Sequence, residues 1–132
     1  MKKGFRIGGW DTDPQQLVIT REGAQIRLEP EAMAVLVCLA EHSGDVVARD
    51  GFPEAVWKGG IVSDEVLSQN ISVLRSQLGD DDLEPRFIET IEDEGYRMIM
   101  RVELPASVES QRLWIKVVGV MLVVIALIVF WT

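Results

Sequence analysis

Wound as a helix at 100° per residue, residues 63–78 (SDEVLSQNISVLRSQL) sort their side chains onto two faces. Leu67, Ile71, Leu74 and Leu78 fall within one narrow arc. Opposite them lie Glu65, Gln69, Ser72 and Ser76, flanked by Ser68 and Arg75 on one side and by Asn70 and Val73 on the other. The outer face thus offers short hydrogen-bonding side chains. Its amides are of the kind that pair with adenine edges, and its one arginine suits guanine or phosphate. A polar outer face is equally what any surface helix shows, so the pattern alone leaves both readings open.

No other constellation points to chemistry. His42 is the single histidine and has no acid–nucleophile arrangement around it; it reads as an exposed residue near a helix end. Cys38, the single cysteine, lies in an apolar stretch and reads as a small core residue. One cysteine excludes an intramolecular disulfide and any multi-cysteine metal site, and it suits a reducing compartment. The acidic clusters at 80–82 and 92–94 lack the loop pattern of a calcium site, and there is no phosphate-cradling glycine loop. The expectation is a protein that is not an enzyme, with no catalytic residues, metal, cofactor or small-molecule substrate.

Charge narrows the class further. The net charge is −8 and the sequence pI about 4.6. Of the 13 basic residues, 12 precede Leu113, as do all 21 acidic ones, so the first 112 residues carry −9. A partner bound through bulk positive charge is not indicated.

The elements that must position the polar face read as follows. Residues 5–10 (FRIGGW), 16–20 (QLVIT) and 25–28 (QIRL) are β-branched or alternating runs separated by turn residues, a three-stranded antiparallel meander. Pro30, with Glu29 and Glu31 beside it, opens a helix that Gly44 ends; Met33, Leu36, Val37 and Ala40 recur at core spacing. Val46–Val47 is long enough only for a bridging strand. Asp50 is placed to cap a second helix through Trp57, and Ser63 to cap the third, which stops at Gly79. Residues 86–91 and 96–102, joined by EDEG, form a hairpin. Two helices at a short connection followed by a hairpin is the order of a winged helix-turn-helix, an α+β fold.

Beyond a polar linker at 103–112, residues 113–131 (LWIKVVGVMLVVIALIVFW) are apolar apart from Lys116. A helix of that length spans roughly 28 Å, close to a bilayer's hydrocarbon core of about 30 Å. Trp114 and Trp131 lie near its ends, and Lys116 can snorkel to the interface. Arg97, Arg101, Arg112 and Lys116 sit on its N-terminal side. By the positive-inside bias, the expectation is a single transmembrane helix with residues 1–102 facing the cytoplasm.

Residues 5–102 resemble the OmpR/PhoB-type DNA-binding domain, in the form found in membrane-bound ToxR/CadC-like transcriptional regulators. The resemblance rests on residues 28–50 (LEPEAMAVLVCLAEHSGDVVARD), 55–57 (AVW), 62–80 (VSDEVLSQNISVLRSQLGD), 86–91 (RFIETI) and 95–97 (GYR). It implies that helix 63–78 enters the major groove, that the loop near Trp57 approaches the backbone, and that the hairpin turn reaches the minor groove. The DNA-binding residues it implies are Trp57, Ser68, Gln69, Asn70, Ser72, Val73, Arg75, Ser76 and Arg97.

Two departures stand out. The wing turn is Glu92-Asp93-Glu94-Gly95, where relatives commonly carry arginine or lysine, and Ser76 replaces the usual basic residue after LR. DNA affinity comes largely from Lys and Arg at phosphates, so weak binding by a single domain is expected. The leading expectation is a membrane-anchored one-component transcriptional regulator of a bacterial inner membrane, with double-stranded DNA as partner. The input is expected from a partner membrane regulator, from a homodimer formed through the span, or from expression level; alternatively the chain is a truncated form of a longer regulator. The alternative is a winged helix impaired in DNA binding that docks onto another membrane regulator or RNA polymerase.

Overall fold

The computed structural model describes residues 4–53, 56 and 63–104. Gly8 and Gly9, with φ of +50° and +87°, break the first apolar run into β1 (Phe5–Ile7) and β2 (Trp10–Asp13). Ile7 pairs with Trp10, so the two glycines form a tight turn of the kind that needs positive φ at both central positions. A Cβ on Gly8 would lie 2.7 Å from the Phe87 ring. β3 (Val18–Arg21) and β4 (Ala24–Arg27) complete the meander, which therefore has four strands rather than the expected three. The glycine pair was the turn signal that the run FRIGGW concealed.

Helix α1 (Pro30–Glu41) has Pro at its start and buries Ala32, Met33, Val35, Leu36, Cys38, Leu39 and Ala40. β5 (Val46–Ala48) leads into a 3-10 turn, Arg49–Gly51, after which Phe52 is extended at φ −76°, ψ 148°. The helix expected from Asp50 therefore does not begin there. Pro53 disfavours helical backbone at the residue before it, and Phe52 turns into the core instead, 4% exposed. Trp57, the end of that expected helix, lies outside the described residues. So do the apolar segment 113–131 and the linker beyond Leu104. Among the described residues no helix is long and apolar enough to cross a membrane.

Helix α2 (Asp64–Leu78) matches its expected bounds. Ser63 caps it, its hydroxyl accepting from the Val66 amide at 3.5 Å, and Gly79 ends it in the left-handed region at φ +74°. The expected hairpin splits. β6 (Ile88–Ile91) and β7 (Gly95–Met98) pair with each other and β5 pairs with β7, giving the order β5-β7-β6. β8 (Val102–Glu103) leaves this wing for the other sheet, ordered β4-β3-β2-β1-β8. The break at residues 99–101 lets one chain serve two sheets. Between the sheets and the two helices lies one core, including Ile7, Ile19, Leu36, Leu39, Leu67, Ile71, Leu74 and Ile88.

Candidate nucleic-acid interface

Leu67, Ile71, Leu74 and Leu78 are all buried, so one whole side of α2 is fixed in the core. The opposite side is open: Ser68, Gln69, Ser72, Val73, Ser76 and Gln77 are exposed, Val73 at 40%. Asn70 is half-buried because its side-chain amide donates back to the Val66 carbonyl at 3.1 Å, a local bond that orients it along the helix. The Ser68 hydroxyl lies 3.4 Å from the Tyr96 hydroxyl on β7. Gln69, Ser72 and Ser76 thus form an uncharged, hydrogen-bonding strip. It can contact base edges or phosphate oxygens.

Arg75 points elsewhere. Its Nη2 donates to the Ile88 carbonyl at 3.0 Å and to the Thr90 hydroxyl at 2.7 Å, both on β6. The guanidinium therefore straps the second half of α2 to the wing. Both acceptors are neutral, so the positive charge is kept. Its Nε, like that of Arg97, is buried with no hydrogen-bond partner among the described residues, so the group is held by geometry rather than full satisfaction.

Arg97 behaves differently. It stands directly opposite Glu89 in the β6–β7 ladder and donates to that carboxylate at 2.7 Å, each side chain about one-third exposed (35% and 33%). Beside the start of α2, Arg49 approaches Asp64 at 3.4 Å, with Asp64 two-thirds exposed. These two arginines are neutralised locally; such partly exposed pairs are weak and exchangeable. At the wing tip Glu92, Asp93 and Glu94 are exposed, and Asp93 adopts φ +63° to close the turn. A Cβ on Gly95 would fall 2.0 Å from the Val47 carbonyl oxygen, so only glycine lets β5 and β7 approach this closely.

Three residues that position this surface escaped sequence reasoning. Asp80, there read only as part of an acidic cluster, accepts from the amides of Arg86 at 2.7 Å, Phe87 at 3.2 Å and Ile88 at 2.9 Å. It welds the end of α2 to the start of the wing. An Asp just after a helix-ending Gly was the available signal. Trp10 donates from its indole to the Leu78 carbonyl at 3.3 Å, so the N-terminal sheet caps the last turn of α2. Tyr96, read only as part of a motif, stacks edge-on to Phe52 with centroids 6.4 Å apart and reaches Ser68. No local spacing announces contacts 68 or 28 residues apart.

Outside this surface, Cys38 is buried, and its thiol is pushed above the ordinary value of 9.0 by burial first and by the Glu41 carboxylate second. His42 is exposed, with Nδ1 2.8 Å from the Cys38 carbonyl oxygen at the end of α1. Among the described residues no cluster of His, Cys, Asp or Glu has the geometry to hold a metal.

Residues 23–98 match the family described as "transcriptional regulatory protein, C terminal". The chain belongs to this family. It is 37% identical over 112 residues to the transcriptional activator CadC of Escherichia coli, an alignment covering 84% of this chain and 22% of that protein. To a cholera toxin homolog transcriptional activator of Vibrio parahaemolyticus it is 32% identical over 111 residues, covering 82% and 38%. The chain therefore spans between about a fifth and two-fifths of these relatives' length. The solved DNA-binding domain of E. coli CadC superposes with a TM-score of 0.68 at 38% identity, covering 77% of this chain and 96% of that one. The Klebsiella pneumoniae RstA DNA-binding domain, solved in complex with the RstA box, gives 0.62 at 27% identity, covering 74% and 97%. The OmpR/PhoB-type, ToxR/CadC-like resemblance is thus borne out, and the family is one of transcriptional regulators rather than of enzymes. The winged-helix fold with its antiparallel sheets is shared with both solved domains.

Proposed function

We propose that this chain regulates transcription by binding double-stranded promoter DNA through α2 while a single span at 113–131 holds it to a bacterial inner membrane. The observation that carries the DNA reading is the division of α2. Its inner side is wholly buried, and its outer side presents Gln69, Ser72 and Ser76 without charge, on a fold shared with a domain solved on its DNA box. In this reading Gln69, Asn70, Ser72, Val73 and Ser76 face the major groove. Ser68 sits at the margin toward the wing, and Trp57 and Arg97 approach the backbone. Arg75 acts by fixing the angle between helix and wing. Affinity is modest because few cations are free to displace counterions.

The chain is then organised as a DNA-binding unit at 1–102, a linker at 103–112 and the span at 113–131, with the first unit in the cytoplasm. Holding copies or a partner membrane regulator side by side raises their effective concentration and offsets weak single-domain binding. Titration of the full chain in detergent against labelled promoter DNA tests the first part. Specific binding that weakens with salt supports it, and no binding at about 50 mM salt, where phosphate contacts are strong, overturns it. Alkaline extraction of membranes tests the second: the chain stays with the membrane pellet, and release into the supernatant rules the span out.

One observation favours a second reading. The wing tip carries three exposed carboxylates and Arg97 is neutralised by Glu89, which suits docking to a basic protein surface on another regulator or RNA polymerase. Retention of such a partner by the chain without any DNA affinity would select it.

A further inference from the structure

Arg97 is the single cation of the hairpin 88–98, which holds four acids. Three of those acids, Glu92, Asp93 and Glu94, stand at the tip. Among the described residues, Glu89 is the acid that pairs with the guanidinium, directly across the ladder at 2.7 Å. A guanidinium presents the same planar fork to a carboxylate as to a phosphate, so one ligand excludes the other along that edge. At about one-third exposure the pair is open enough to water to exchange. Among the described residues Arg75 has neutral acceptors and no such rival.

Resting on the DNA-binding reading above, we propose that Glu89 is an internal stand-in for a DNA phosphate: it holds Arg97 in the free protein and must be displaced for the wing to engage the backbone. Glu89 thereby lowers affinity for all DNA sequences alike and removes one phosphate contact from the salt dependence. It also keeps Arg97 extended in place on the wing, so the arginine is pre-positioned as well as occupied. The balance between these two effects is set by the strength of one exposed pair.

The test uses the full chain in detergent micelles and polarisation of a labelled mixed-sequence DNA duplex between about 50 and 200 mM salt. Glu89→Gln keeps the size of the side chain and removes its charge. It is expected to tighten binding about fivefold, the scale of a partly exposed ion pair, and to steepen the log–log salt slope by about 0.9, one added phosphate contact. The gain should vanish in an Arg97→Gln background. Glu92→Gln removes the same charge from the tip and should give a smaller gain that is indifferent to Arg97. Glu89→Thr, a strand-favouring replacement without the amide acceptor, repeats the result should the first variant fold poorly. Unchanged affinity and slope in both Glu89 variants, with the unsubstituted chain binding, overturn the proposal alone. A gain that survives Arg97→Gln overturns it too, since removal of charge would then suffice. Absence of binding by every variant at the lowest salt overturns it together with the DNA reading.

Discussion

Helix α2 and the wing are neighbours in space, yet they treat polar groups in opposite ways. On α2 the buried leucines and Ile71 take up one side, and the other keeps Gln69, Ser72 and Ser76 open to water. On the wing Arg97 is engaged with Glu89, Thr90 with Arg75 and Tyr96 with Ser68, and only the tip acids Glu92, Asp93 and Glu94 stand open. A helix can face two ways because its side chains radiate, and one stripe suffices to anchor it. The wing sheet, with strands of three, four and four residues, joins the core through Val47, Ile88, Tyr96 and Met98 and is also held by cross-links to its surroundings. What α2 leaves open in Gln69, Ser72 and Ser76, the wing holds closed in the Arg97–Glu89 pair.

The comparison breaks most severely where α2 is anchored. Leu74→Ala, at a fully buried position, should destabilise the domain by about 3 kcal/mol through lost burial and a residual cavity. Urea unfolding of this domain in the full chain reads this as a lower midpoint. Gly95→Ala strikes the wing instead. With a Cβ 2.0 Å from a backbone oxygen, β5 and β7 must separate, at roughly 2 kcal/mol. Proteolysis should then cut near the wing before α2 is lost. Asp80→Ala severs the weld between the two regions and its three amide bonds. It should cost about 1.5 kcal/mol and loosen the wing, read as faster amide exchange at Phe87 and Ile88.

Gln69→Ala sharpens the contrast from the other side. Stability should stay within about 0.5 kcal/mol, as for most exposed positions, while affinity for a specific site falls roughly tenfold if the amide contacts a base edge. An equal fall on unrelated sequences would assign Gln69 to the backbone. The smallest effect belongs to neither region. The Cys38 thiol titrates above its unfolded value, so its contribution to stability is complete below pH 9.0 and is lost as pH rises through the folded value. Thermal midpoints should be flat with respect to this group up to that pH and decline above it, and Cys38→Ala should flatten the decline.

Much of this was readable in the chain. Ser63, Gly79 and the spacing of Leu67, Ile71, Leu74 and Leu78 bound α2 to the residue, because caps and helical periodicity are local properties. The family resemblance of residues 5–102 was carried by motifs in order, and the family match confirms it. The splitting of FRIGGW at Gly8–Gly9 was legible in principle and obscured by the apolar run around it. The extended backbone at Phe52 was less so. A capping Asp50 and an early Pro53 suit a helix start, but burial of the Phe52 ring against Tyr96 decides otherwise.

By itself the sequence determined which residues line the outer face of α2 and which held the helix down, since a 3.6-residue period needs no partner to be seen. It could not determine whether an arginine was free. Arg75 and Arg97 look alike as letters on a polar surface. Only the packing of β6 beside α2 and the register of Glu89 against Arg97 made one a strap and the other an ion pair. Those fates depend on distances between residues 8 to 15 positions apart, which only the folded chain brings within about 3 Å.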